Sequence, residues 1–237
     1  MRRMLMEAAG AAALLGVGSM AWAVGGRSSS VFGPSVHHGV TDRRSIALTF
    51  DDGPSESTPE VLETLCEFRS LATFFCCGAN VRRLPEVARE VVSAGHEIGN
   101  HADSHARLFL RTPAFVQQEM RKAQQTISEA TGVAPVLFRA PFGGRWFGMR
   151  AAQRELGLTG VTWTVIAFDW MLPADAIVRR LLRYARSGAI ICLHDGRETK
   201  VRPDIRPTLE AVRRLIPELS AKGYRFETVS QILCPTT

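Results

Sequence analysis

The sequence predicts an α/β fold, an irregular (β/α)7-type barrel, and three features of the chain point to it. Short apolar runs rich in β-formers alternate with helical patterns from Ser45 onward. No repeat or low-complexity segment interrupts them. Finally, the Asp51-Asp52 pair, His101, Arg139, Asp169 and His194 each stand at or just after the carboxyl end of a different predicted strand. A barrel gathers such ends around one mouth, whereas an open sheet spreads them along an edge.

Seven strands are expected, at Ser45–Phe50, Ala72–Cys76, Glu97–Gly99, Leu137–Arg139, Val161–Val165, Ala189–Leu193 and Arg225–Thr228. Helices are expected between them at Pro59–Arg69, Pro85–Ala94, Pro113–Ala130, Gly148–Leu156, Ala174–Ala185 and Thr208–Lys222. Thr58-Pro59 and Thr112-Pro113 each place a capping hydroxyl before a proline at the first helical position. Parallel strands joined by helices must be covered on both faces, which suits a core enclosed by a helical shell.

At 237 residues and 46% hydrophobic, the chain can bury one sizeable core and is short for two domains. Its 29 Lys+Arg against 23 Asp+Glu are spread along the chain, so no dedicated nucleic-acid arm is expected and the basic balance reads first as a solvated surface. A monomer is expected. Residues 1–23 read as an export segment: Arg2 and Arg3 precede an apolar run from Ala8 to Met20, and Ala21-Trp22-Ala23 fits a signal-peptidase site. Glu7 fits that pattern poorly, and the stretch over residues 4–24 serves equally as an uncleaved membrane anchor. The Gly/Ser-rich 24–44 stretch reads as a linker, the catalytic domain as residues 45–234, and a chain beginning at Val31 is expected to fold. The location is thus outside the cytoplasm: secreted, periplasmic or held at the outer face of the membrane. Five cysteines form no C-x-x-C pair, so neither a zinc knuckle nor a full disulfide framework is implied.

His101 and His105 stand four apart, so one helical turn can aim both imidazoles at a single ion. Ala102 occupies the position where zinc proteases carry a catalytic Glu, which disfavours that class. Thr49-Phe50-Asp51-Asp52-Gly53-Pro54 supplies further donors: of two adjacent carboxylates, one can bind a metal and the other a water. Asp-Gly-Pro is also good turn chemistry, but a turn does not call for two carboxylates after a buried strand. One Asp and two His leave an open coordination position, as catalytic zinc sites require, and Co2+ can substitute for Zn2+.

From Ile46 to Leu233 the sequence resembles the polysaccharide deacetylases, carbohydrate esterase family four, with the family's five motifs in order. The resemblance implies the TIM-like polysaccharide deacetylase fold and removal of N-acetyl groups from N-acetylglucosamine units of chitin oligomers, peptidoglycan or a related glycan. Carried over motif by motif, it makes Asp51 the base and Asp52, His101 and His105 the metal ligands. In Arg139-Ala140-Pro141-Phe142, Arg139 holds the base and the Phe142 backbone N–H helps bind the oxyanion. Phe142 stands where tyrosine is frequent, and Ile166 where many relatives carry an acidic residue. Asp169 orients His194, Trp170 walls the pocket, His194 is the acid, and Leu193 joins the acetyl-methyl pocket. A catalytically inactive glycan-binding relative and an O-acetyl xylan esterase are the competing readings. The loops Phe142–Gly148 and Arg197–Pro207 hold the substrate preference.

Overall fold

The structure, a computed structural model, describes residues 15–235. Its frame is a nine-stranded sheet of β1 (Ser35–Val36), β2 (Ser45–Gly53), β3 (Ala72–Cys76), β4 (Glu97–Asn100), β5 (Leu137–Phe138), β6 (Thr159–Val161), β7 (Val165–Ile166), β8 (Ala189–His194) and β9 (Arg225–Phe226). The order is β1-β6-β5-β4-β3-β2-β8-β7, with β9 also on β2, and every pairing is parallel. All nine residues of central β2 are buried, as a parallel strand covered on both faces must be.

Alternation along β2 separates two environments. Ile46, Leu48 and Phe50 join Val61, Leu65, Leu209 and Leu215 of the surrounding helices in the main core. Ala47 packs instead with Phe75, Ile190, Val229 and Ile232, so the short helix Val229–Leu233 lies against the amino-terminal end of the strands. Each fully buried Phe, Leu or Ile there stabilises the fold by roughly 1.5–3 kcal/mol. The opposite end is left for Thr49 and Asp51, which share the inward face with Ala47.

The expected strand Val161–Val165 is two strands. β6 pairs with β5 and β7 with β8, toward opposite edges of the sheet, although only residues 162–164 separate them. The sheet must therefore curl until its edges nearly meet, and the chain itself crosses the seam. Two short helices, Gly78–Arg83 and Val229–Leu233, add to the six expected. Thr112 caps the helix Pro113–Thr131 as expected, accepting the Phe115 N–H. Thr58 does not cap: it is the first residue of the helix Thr58–Glu67, and its hydroxyl accepts from Ser55 N–H and donates to Asp195.

The stretch read as a linker lies across the seam. Strand β1 falls within it and pairs with β6. Arg145, only 6% exposed, donates to the carbonyls of Val24, Gly26 and Ser29. Thr162 Oγ1 donates to Arg27 O at 2.9 Å and Thr164 Oγ1 to His37 O at 2.8 Å. His38 bridges Ala189 at the start of β8. The strap covers sheet edges that would otherwise present unpaired backbone groups. Residues 15–25 are helical, the first fourteen residues of the expected export segment lie outside the described residues, and no helix among the described residues is long and apolar enough to cross a membrane.

Candidate active site

The carboxyl ends of β2, β4, β5, β7 and β8 meet around a cleft of about 880 Å3, lined among others by Asp51, Asp52, His101, His105, Trp163 and His194. Strict alternation would send adjacent Asp51 and Asp52 to opposite faces of the sheet. A bulge prevents this: Asp51 pairs with Phe75 and Gly53 with Cys76, leaving Asp52 as the extra residue at φ 71°. Both carboxylates thereby reach the cleft.

His101 and His105 are brought together by a loop, not by the helical turn expected of them. Ala102 and His105 adopt φ of 62° and 57°, which breaks any helix. The loop is pinned on both sides. Asp103 pairs with Arg82 and Lys122 at 2.6 and 2.7 Å, the Ser104 N–H donates to Glu119, and Asn100 Oδ1 accepts the Ala102 N–H.

His101 Nε2 and His105 Nε2 lie 3.3 and 2.9 Å from Asp52 Oδ1, and these three residues have ligand atoms close enough for one ion. His101 Nδ1 is bonded to the Arg139 carbonyl at 2.7 Å, which makes Nδ1 the protonated nitrogen and turns the Nε2 lone pair inward. Asp52 Oδ2 accepts the Glu198 N–H at 2.7 Å. Asp52 Oδ1, buried and facing two imidazole nitrogens, has no hydrogen-bond partner. An orphaned carboxylate oxygen there is costly in a dry site and is satisfied by a cation. The donor set, two imidazoles and one carboxylate with the cleft on the open side, fits a divalent ion of the zinc type.

Beside it, Asp51 Oδ1 receives Arg139 NH1 at 2.6 Å. Arg139 is 1% exposed, and its other donors go to Thr49 Oγ1, Val161 O and Thr162 O. Its carbonyl partners belong to the seam segment, so closure of the barrel positions the guanidinium that faces Asp51. On the neighbouring strand β8, His194 Nδ1 meets Asp169 Oδ1 at 2.8 Å, and the His194 backbone N–H and Thr208 hydroxyl both donate to Asp169 Oδ2. Burial opposes protonation of His194, but the attraction and hydrogen bond of Asp169, with smaller help from Asp52 and Asp51, outweigh it and raise its pKa to about 9. Trp170 stands edge-on to the imidazole, ring centres 5.0 Å apart. Phe142, at φ 58°, packs against His105 and lies in the short 3-10 helix Pro141–Gly143, whose first backbone donors find no partner inside the helix.

Nine of the ten residues singled out from the sequence thus meet at one mouth. The exception is Leu193. It pairs beside Phe50 in β2 and β8 and is fully buried in the main core, facing the helices. Alternation decides this: if His194 faces the barrel interior, Leu193 cannot. The residue that lines the cleft below His194 is Cys192, with Sγ 3.4 Å from Asp51 Oδ2. Trp163, on the seam, and Thr208 were missed. No short motif marks Thr208, and Trp163 lay inside what read as a continuous strand.

The chain is similar to known proteins over most of its length. The family profile described as polysaccharide deacetylase matches residues 38–161. A chitooligosaccharide deacetylase of Bradyrhizobium sp. (strain ANU 289) is 38% identical over 202 residues, covering 81% of this chain and 92% of its own. A peptidoglycan-N-acetylglucosamine deacetylase of Bacillus cereus is 35% identical over 196 residues, covering 81% and 89%. A solved peptidoglycan N-acetylglucosamine deacetylase, bound to an N-hydroxybenzamide, superposes with a TM-score of 0.78 at 29% identity, covering 84% of this chain and 92% of that one.

Proposed function

The chain belongs to the polysaccharide deacetylase family, and on that premise we propose that it is a metal-dependent hydrolase that removes N-acetyl groups from N-acetylglucosamine units of a glycan, either chitin oligomers or peptidoglycan. The observation that carries this reading is the convergence of Asp52, His101 and His105 in one cleft with the Arg139–Asp51 and Asp169–His194 pairs.

Asp52, His101 and His105 hold the ion, Zn2+ in the first place with Co2+ able to substitute. When bound, the ion supplies Lewis acidity toward the attacking water and the acetyl carbonyl. Asp51 accepts the proton of that water through Oδ2, while Oδ1 is bonded to Arg139. As the acetyl carbon becomes tetrahedral, its oxyanion is met by the Phe142 N–H. His194, held as imidazolium by Asp169, donates from Nε2 to the departing amine, without which the C–N bond would expel an unstable amide anion. Trp170 and Trp163 wall the sugar and help exclude water.

The enzyme works as a monomer outside the cytoplasm, with residues 1–23 serving as signal peptide or anchor and no nucleic-acid partner. Purified protein loaded with zinc, incubated with a panel of chitin oligomers, muropeptides and acetylated xylan, tests the reading by mass spectrometry. Loss of 42 mass units per N-acetyl group, roughly one ketene equivalent, is expected from at least one of the first two and not from Asp51→Asn protein. Acetate from xylan alone would overturn the amide reading, and acetate from none would favour an inactive glycan-binding relative.

A further inference from the structure

Cys192 lines the cleft with Asp51 and His194, and the proposed chemistry leaves it unused. Residues 190, 192 and 194 of β8 face the barrel interior, as do 47, 49 and 51 of β2, and the register sets Asp51 beside His194 and Thr49 beside Cys192. The thiol therefore lies one layer beneath the imidazole, on the Asp51 side. One donor atom each from Asp51, Cys192 and His194 lies within 4.8 Å of the other two. All three residues line the cleft.

We propose that Asp51, Cys192 and His194 form a second site for a thiophilic divalent cation, zinc or cadmium, whose occupancy inhibits the enzyme. Asp51 and His194 each have one polar atom engaged elsewhere, which aims the remaining one. Asp51 Oδ1 is held by Arg139 and leaves Oδ2, the atom nearest Cys192 Sγ. His194 Nδ1 is held by Asp169 and leaves Nε2, so carboxylate, imidazole and ion would stand in the order common at zinc centres. A tetrahedral ion with bonds of about 2.0–2.3 Å needs its ligands roughly 3.3–3.8 Å apart, within side-chain adjustment of the spacing present.

With the thiol and Nε2 deprotonated, Asp51, Asp169 and the Cys192 thiolate carry three negative charges against one positive on Arg139, so the dication takes the place of two protons. Binding breaks the S–H bond of Cys192 and the Nε2–H bond of the His194 imidazolium, releases both protons to solvent and forms a metal–sulfur and a metal–nitrogen bond, with no change of oxidation state. A thiolate selects soft and borderline ions, so magnesium is not expected to compete. The inhibitory consequence rests on Asp51 and His194 being base and acid, since an ion there would occupy both; the binding itself does not depend on that reading.

The test uses the full chain with the two exposed cysteines replaced, Cys66→Ser and Cys234→Ser, loaded with one equivalent of zinc and titrated with cadmium. Equilibrium dialysis should show a second ion bound, accompanied by the ultraviolet thiolate-to-cadmium charge-transfer band. Cys192→Ser should abolish the band and weaken the second ion at least about tenfold, and His194→Gln, which keeps the thiol, should weaken it similarly. Thermal transitions of both variants establish that they fold, and Cys192→Ala serves if the serine variant does not. A band that survives in Cys192→Ser, or second-ion affinity unchanged in both variants, overturns the site. Acetate release from wild type should fall as free zinc exceeds one equivalent, and much less so in Cys192→Ser relative to its own zinc-replete rate; equal inhibition of both overturns the inhibitory role. A chain that binds the second ion yet deacetylates nothing would refute the proposed activity and leave this site standing.

Discussion

Replacing Asp169 by Asn should move the alkaline limb of the rate profile toward neutral pH, and the structure sets the size of the shift. The His194 backbone N–H is a fixed donor and Thr208 also donates to Asp169 Oδ2, so the Asn carbonyl oxygen must take that position. Its amide nitrogen then points an N–H donor at His194 Nδ1, which can accept only when the imidazole is neutral. The pKa near 9 should therefore fall at least to the ordinary imidazole value of 6.5. A change of about 2.5 units corresponds to ~3 kcal/mol less stabilisation of the imidazolium. At pH 8 the protonated fraction drops from about 0.9 to about 0.03, roughly thirtyfold, whereas at pH 5.5 both chains stay at least about nine-tenths protonated. The assay is kcat/KM for acetate release from a chitin oligomer, measured for both zinc-loaded proteins between pH 5.5 and 9.5 and expressed as their ratio. Stability gives a second readout with a definite sign. Because the folded pKa is raised above 6.5, His194 stabilises the wild type fully below that pH and loses the contribution as pH rises through 9. The variant should show little of that decline. A rate ratio independent of pH would mean that Asp169 only supports the fold, and would refute the reasoning.

Asp51→Asn should retain one equivalent of zinc by elemental analysis while abolishing turnover; His101→Ala should lose both, because of the two only His101 belongs to the Asp52–His101–His105 site. His194→Ala should fall between them, keeping the metal and losing on the order of a hundredfold in rate, partly restored by added imidazole. Stripping the metal with a chelator should stop acetate release and lower the melting temperature, and zinc or cobalt should restore both, since Asp52 Oδ1 is left orphaned without a cation. A chain beginning at Val31 should melt lower than one that keeps residues 24–30, contrary to the expectation from the linker composition. It strips the buried Arg145 of its three carbonyl acceptors, at about 1–3 kcal/mol for an unsatisfied polar group, and Arg145→Met in the shortened chain should recover part of the loss.

The alternation of apolar strands and helical patterns, and the position of each polar residue at a strand end, were legible locally, because burial on both faces leaves a parallel strand a continuous apolar run. So were Asp51, Asp52, His101, His105, Arg139, Asp169 and His194, whose residue types and motif order mark the chemistry. The pairing partners of residues 159–166 were not, since a break between two short strands looks in one dimension like an uninterrupted apolar segment. Glycine and serine in the 24–44 stretch suggested flexibility, yet Ser29 is fully buried and the backbone carbonyls around it are what Arg145 binds. A carbonyl's partner has no sequence signature.

The sequence by itself determined the fold class and singled out the candidate site residues, because those depend on residue type, on local patterning and on the order of motifs along the chain. Only the tertiary structure decided which way each of these side chains faces. The bulge at Asp52 turned two neighbouring carboxylates into one cleft, and the alternation of β8 sent Leu193 into the helical shell and put Cys192 beside Asp51. Both outcomes depend on register between strands distant in sequence, and a shift of one residue in that register reverses every side chain on the strand.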